Sequence, residues 1–218
     1  MELEHLTPEE IEQRSFEIIE EELVKCGADI SSFDEKELSI VKRCIHTTAD
    51  LDYIRTMRFS KGAVRKMTEL ISGGAVIVTD TNMALAGINR KELLQYGCKA
   101  ICFMADEEVA REAARQKTTR ASISVRHAMR IESPVIFAIG NAPTALITIR
   151  ECLDSGEYKP AFVIGVPVGF VNVVQAKELI LETDIPCIIN TGRKGGSNVA
   201  AAIVNAVLYS MKKPRYDR

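Results

Sequence analysis

His46 and Arg43 stand three residues apart, so on a helix they share one face. Histidine is the side chain that takes up and releases protons near neutral pH, which makes this pair the first acid–base candidate. A histidine near a helix end also has a purely structural reading, and a break is expected just beyond it at Thr48-Ala49-Asp50. A second constellation is Gly192-Arg193-Lys194-Gly195-Gly196-Ser197-Asn198. It sets two cations ahead of a helix start, where unpaired N–H groups suit a carboxylate or phosphate, and its glycines allow close backbone approach. The same residues could simply make a tight turn. Asp80, Asn141 and Arg193 fall in turns that follow short apolar runs, the positions at which open α/β sheets bind ligands. Arg14-Ser15, Arg120 and Ser122 are further polar candidates, since arginine grips a carboxylate through two hydrogen bonds. His5, in the N-terminal tail, and His127, flanked by Arg126 and Arg130, are expected to be solvated.

These residues need a scaffold. Short apolar runs without polar alternation occur at 75–78, 100–103, 135–139, 162–166 and 187–189. Such runs suit strands covered on both faces, as in a parallel sheet, and helical stretches separate them. The expected fold is therefore α/β, a parallel sheet between helical layers. A weaker signal at 53–58 could add a strand. Ahead of the sheet lie two helices. The first starts at the capping box Thr7-Pro8-Glu9-Glu10 and stops at Gly27; the second starts after Asp34 with Leu38, Val41, Cys44 and Ile45 on its apolar side. Pro143 opens another helix that ends at Gly156. Asn198 opens an almost wholly apolar run to Met211, which must pack on several sides. No repeat or low-complexity linker divides the chain, so residues 1–218 read as one domain.

Composition removes several functions. Net charge is −2, far from the concentrated basic face of a nucleic-acid binder, and the basic residues Lys212, Lys213, Arg215 and Arg218 read as a solvated tail. No apolar window is long enough to span a membrane, and the acidic N-terminus is unlike a signal peptide. The six cysteines are scattered without paired zinc-ligand spacing and read as free thiols of a reducing cytoplasm. Neither a phosphate loop nor a GxGxxG turn after the first strand is present, so nucleotide binding has no motif behind it.

Five segments resemble the precorrin-8X methylmutase family, including its cobalt-precorrin-8 forms. They are Arg14-Ser15-Phe16-Glu17-Ile18-Ile19, Arg43-Cys44-Ile45-His46, Gly140-Asn141-Ala142-Pro143-Thr144-Ala145-Leu146, Pro160 through Phe170 (PAFVIGVPVGF), and Gly192-Arg193-Lys194-Gly195-Gly196-Ser197. The likeness runs from about residue 10 to 210. It implies a three-layer α/β/α flavodoxin-like fold with N-terminal helices, a homodimer, and a cytoplasmic isomerase of cobalamin biosynthesis acting on a tetrapyrrole. It implies the reaction too: the methyl on C11 of the macrocycle moves to C12, a 1,5-sigmatropic shift giving hydrogenobyrinate or cobyrinate, with no external methyl donor, cofactor or protein-bound metal. By motif, His46 takes the catalytic position, Ser15 and Arg43 contact substrate, and Arg120 joins them on a looser match. Asp80, Asn141 and Arg193 are added as substrate-binding residues from their strand-end positions alone. Two other functions remain open at this point: a non-enzymatic corrinoid carrier on the same fold, and a nucleotide-dependent α/β enzyme.

Overall fold

The computed structural model of the protein describes residues 5–211. Helices α1 (Pro8–Lys25), α2 (Glu35–Thr48) and α3 (Tyr53–Thr56) come first, followed by strand β1 (Met57–Phe59) and α4 (Ala63–Ser72). Strand–helix alternation then takes over: β2 (Val76–Thr79), α5 (Asn82–Gly87), α6 (Arg90–Leu94), β3 (Lys99–Ile101), α7 (Glu107–Gln116), α8 (Arg120–Ala128) and β4 (Val135–Ile139). The chain closes with α9 (Pro143–Asp154), β5 (Phe162–Gly165), α10 (Val173–Leu181), β6 (Cys187–Asn190) and α11 (Ser197–Ser210). No helix among the described residues is long and apolar enough to cross a membrane.

The six strands lie in the order β1-β6-β5-β4-β2-β3. From β2 onward every pairing is parallel, and the five strands β2–β6 have the flavodoxin-like order. β1 runs antiparallel along β6, pairing Met57 with Asn190. The weak signal at 53–58 divides into a helical turn, in which Thr56 Oγ1 bonds back to the Asp52 carbonyl, and a strand of three residues. A strand that short has too few positions to show a period.

Alternate strand residues explain the sandwich. Ile77, Ile136, Phe162 and Ile188 face one core with α1, α2, α4 and α11. Val78, Phe137, Val163 and Ile189 face the other with α8, α9 and α10. Both faces are buried, which is why the runs lack polar alternation. As its composition requires, α11 packs against α2, α4 and α5 as well as the sheet. The switch point, where neighbouring strands send their connections to opposite sides, lies between β2 and β4.

Candidate active site

The site begins with α2. Asp34 caps it, accepting from the Lys36 and Glu37 N–H groups. Ala49 ends it in a left-handed conformation, with its N–H bonded to the Ile45 carbonyl at 2.7 Å. The last turn therefore delivers His46 to the end of the sheet where the parallel strands terminate. The imidazole is exposed and stacks on Phe16 of α1, with ring centroids 5.5 Å apart and planes 26° from parallel. Among the described residues, neither ring nitrogen of His46 makes a hydrogen bond.

Ser15 and His46 line one hollow of about 250 Å³, together with Ile18, Ile19, Glu22, Ile45, Ala49 and Leu51. Ser15 donates its hydroxyl proton to the Ile11 carbonyl at 2.7 Å, which leaves its oxygen lone pairs to face the hollow. Arg43 packs beside them. Its guanidinium lies 4.9 Å from the Phe16 ring centre and 5.4 Å from that of Tyr209, and Nη1 meets the Glu12 carboxylate at 2.6 Å. Arg43 thus braces the ring on which the imidazole rests.

The switch point forms a second group. Asp80 is 2% exposed; its Oδ1 accepts from the Gly140 N–H at 2.9 Å, and its Oδ2 from those of Asn141 and Ala142 at 2.7 and 2.6 Å. Burial pushes this carboxyl above the ordinary carboxylate range, and the three N–H donors offset part of the push. Its two oxygens are engaged by the turn that opens α9, so it shapes the rim from beneath. Asn141, in the same turn, is exposed.

The strap from Asn190 to Ser197 closes the rim. Gly195 and Gly196 are there for close contact. A Cβ on Gly195 would sit 2.0 Å from the Val166 carbonyl oxygen, and the Gly196 N–H bonds to that oxygen at 2.9 Å. Gly140 is packed against the strap in the same way: a Cβ there would meet Gly196 O at 2.7 Å. Arg193 is exposed, 5.5 Å above the ring of the equally exposed Phe170. Lys194, expected to serve an anion, instead pairs with Asp50 and Asp52 at 2.6 and 2.7 Å.

The sequence candidates therefore fall into separate groups. Ser15, Arg43 and His46 come together; Asp80 and Asn141 meet at the switch point; Arg193 rides on the strap. Arg120 opens α8, exposed, and no side-chain contact among the described residues links it to His46. Its neighbour Thr119 ties the start of α8 to that of α9 through Thr144, 3.0 Å between hydroxyl oxygens. The solvated reading of His127 is also corrected. Its Nε2 lies 2.8 Å from Glu112 and its ring meets Phe103 edge-on, so it braces α7 against α8. Residue types alone did not single out Phe16, Glu12 or the buried Lys177. Only Phe16 left a signal, its place in the segment beside Ser15.

A flavodoxin-ordered α/β/α sandwich with an imidazole exposed at the end of its sheet, next to a glycine-built rim, defines a class: three-layer α/β proteins with titratable and polar side chains gathered at the strand ends. Residues 10–210 match the family model described as precorrin-8X methylmutase, and the chain belongs to that family of methyl-migrating isomerases. It is 41% identical to a cobalt-precorrin-8 methylmutase of Leptospira interrogans, over 93% of this chain and 94% of that protein. It is 39% identical to one of Salmonella typhimurium, over 94% and 97%. Identity to a precorrin-8X methylmutase of Pseudomonas aeruginosa is 34%, over 84% and 89%. Among solved structures, the precorrin-8X methylmutase of Thermus thermophilus superposes with a TM-score of 0.81 at 37% identity, covering 92% of this chain and 95% of that one.

Proposed function

We propose that the protein moves the C11 methyl of precorrin-8X, or of its cobalt form, to C12, with His46 as proton or hydrogen-bond donor to the macrocycle. In the shift the C11–methyl bond breaks as the C12–methyl bond forms, so the methyl never leaves the substrate. The protein has only to polarise the conjugated ring. A proton or hydrogen bond from His46 to a ring nitrogen near C11 draws electron density away from the migrating centre. The observation that carries this reading is the exposed imidazole, stacked on Phe16 and, among the described residues, without a hydrogen-bond partner on either nitrogen, at the edge of the hollow it shares with Ser15. Ser15 and Arg120 then serve the substrate's polar periphery, with Asn141 and Arg193 on the rim, where an arginine would meet an acetate or propionate arm. Arg43, engaged by Glu12 and two rings, acts chiefly by holding Phe16. Asp80 acts through the turn it organises.

The hollow, about 250 Å³, lies below the roughly 300–1,000 Å³ usual for ligand sites, so it takes one edge of a macrocycle. Ile11, Ile18 and Val24 of α1 are exposed nearby, which favours a homodimer in which a second copy covers this face. Free cysteines, four of them buried, suit the reducing cytoplasm. The relatives at 39–41% identity are named for the cobalt form, which makes the cobalt-bearing substrate the first to supply.

The test is the change in visible absorption when purified protein meets cobalt-precorrin-8 or its metal-free counterpart. Conversion is expected with the unaltered protein, and His46→Ala should lose about 10²–10⁴-fold in rate while still binding the macrocycle. Turnover by His46→Ala at the parental rate would remove His46 from the mechanism. A ligand spectrum that never changes with the unaltered protein would favour the carrier.

A further inference from the structure

We infer that Lys194 and Lys177 are positioning residues for His46, linking the glycine strap to the helix end that presents the imidazole. The inference rests on the role proposed for His46 and adds how its position is held.

The link begins at Lys177, on the inner face of α10 with none of its surface exposed. An ammonium there is costly unless it is hydrogen-bonded. It donates to the carbonyls of Gly192 and Lys194, both at 2.8 Å. Asn190, also fully buried, donates a further bond to the Lys194 carbonyl at 2.8 Å and accepts one from the Thr56 hydroxyl at 2.6 Å. With Gly196 bonded to Val166, the strap backbone is held on both sides of Lys194. The Lys194 side chain therefore leaves from a fixed point.

It ends between two carboxylates, Asp50 Oδ2 at 2.6 Å and Asp52 Oδ2 at 2.7 Å. The other oxygen of Asp50 accepts the Asp52 N–H at 3.0 Å, which closes the turn. That turn starts at Ala49, the left-handed residue ending α2 three positions after His46. Lys194 thus fastens the last turn of α2 to the rim of the sheet. All three side chains are partly exposed, at 46%, 31% and 49%, and ion pairs of this kind add little to global stability. Their effect is on geometry, where a small displacement of an acid–base group slows the chemical step.

A different role, in which Lys194 grips a substrate carboxylate directly, would show in KM. The experiment compares Lys194→Met, Lys194→Arg, the paired variant Asp50→Asn/Asp52→Asn, and all three changes combined, using full-length protein with cobalt-precorrin-8. Each is also examined by NMR with ¹³C-labelled histidine, using the His46 ring signal. Lys194→Met is expected to lower kcat about 10–100-fold with little change in KM. The paired variant should match it, the combination should be no worse than either, and Lys194→Arg should recover most of the rate. The His46 signal should move in Lys194→Met and return in Lys194→Arg. Lys177→Met should reproduce the kcat loss; if it does not fold, the Lys194 set decides alone. An unchanged kcat, a loss confined to KM, multiplying losses in the combination, or an unmoved His46 signal would each overturn the inference. The NMR reading does not depend on catalysis, so full activity in His46→Ala would sink the proposed mechanism while leaving the link separately testable.

Discussion

Asp80 and Arg43 each hold part of the candidate site, by opposite means. At the switch point, a buried carboxylate gathers three backbone N–H groups, and glycines bring three loops into backbone contact. On the face of α1 and α2, a partly exposed guanidinium braces a ring with the help of one exposed carboxylate. The first region is inseparable from the folded state. The second is an arrangement of side chains on a surface that would fold without it. Stability and catalysis should therefore respond to different substitutions, and the two regions can be separated by experiment.

The sharpest contrast is Asp80→Ala. It leaves three inward-facing N–H groups without their acceptor, and urea unfolding should show a loss of about 3–5 kcal/mol. A loss below about 1 kcal/mol would mean the turn holds itself, and the contrast would fail. Next comes a pH signature of the buried side of the rim. Burial pushes the Lys177 ammonium from its ordinary 10.5 down to about 8. Above pH 8 the folded protein releases this proton while the unfolded chain keeps it, so stability rises with pH. Buried thiols work the other way. Cys44 is pushed up to about 12 and Cys187 to about 11 from 9.0, so above pH 9 the unfolded chain loses thiol protons that the folded one keeps, and stability falls. The Lys177 contribution is therefore read between pH 8 and 9: a rise in urea-unfolding free energy that Lys177→Met abolishes. The smallest effect belongs to the helix face. Glu12→Gln should change stability by less than about 1 kcal/mol, because the pair it breaks is open to solvent. A larger loss there would erase the distinction between the regions.

Much of this architecture is legible in the chain. The five apolar runs mark the parallel strands because both faces of the sheet are covered, and the capping boxes at Thr7 and Asp34 mark where α1 and α2 begin. His46 stands out by its chemistry, and the motifs around it carry the family. What stays hidden depends on contacts distant in sequence. Asp80 looks like a strand-end ligand residue because its partners are N–H groups sixty positions later, which no side chain announces. Lys177, in the stretch Val173–Leu181, looks like an ordinary surface lysine; only the fold reveals that α10 turns it toward two strap carbonyls. Lys194 looks like an anion ligand until the turn after α2, 142 residues earlier, brings Asp52 to it.

The α-carbon of Gly195 lies so close to the Val166 carbonyl that β5, β6 and the strap have no slack between them. A side chain added at Gly195 would have to push these segments apart. Engineering the enzyme toward bulkier tetrapyrroles should therefore start with the apolar residues of α1, leaving the glycines alone.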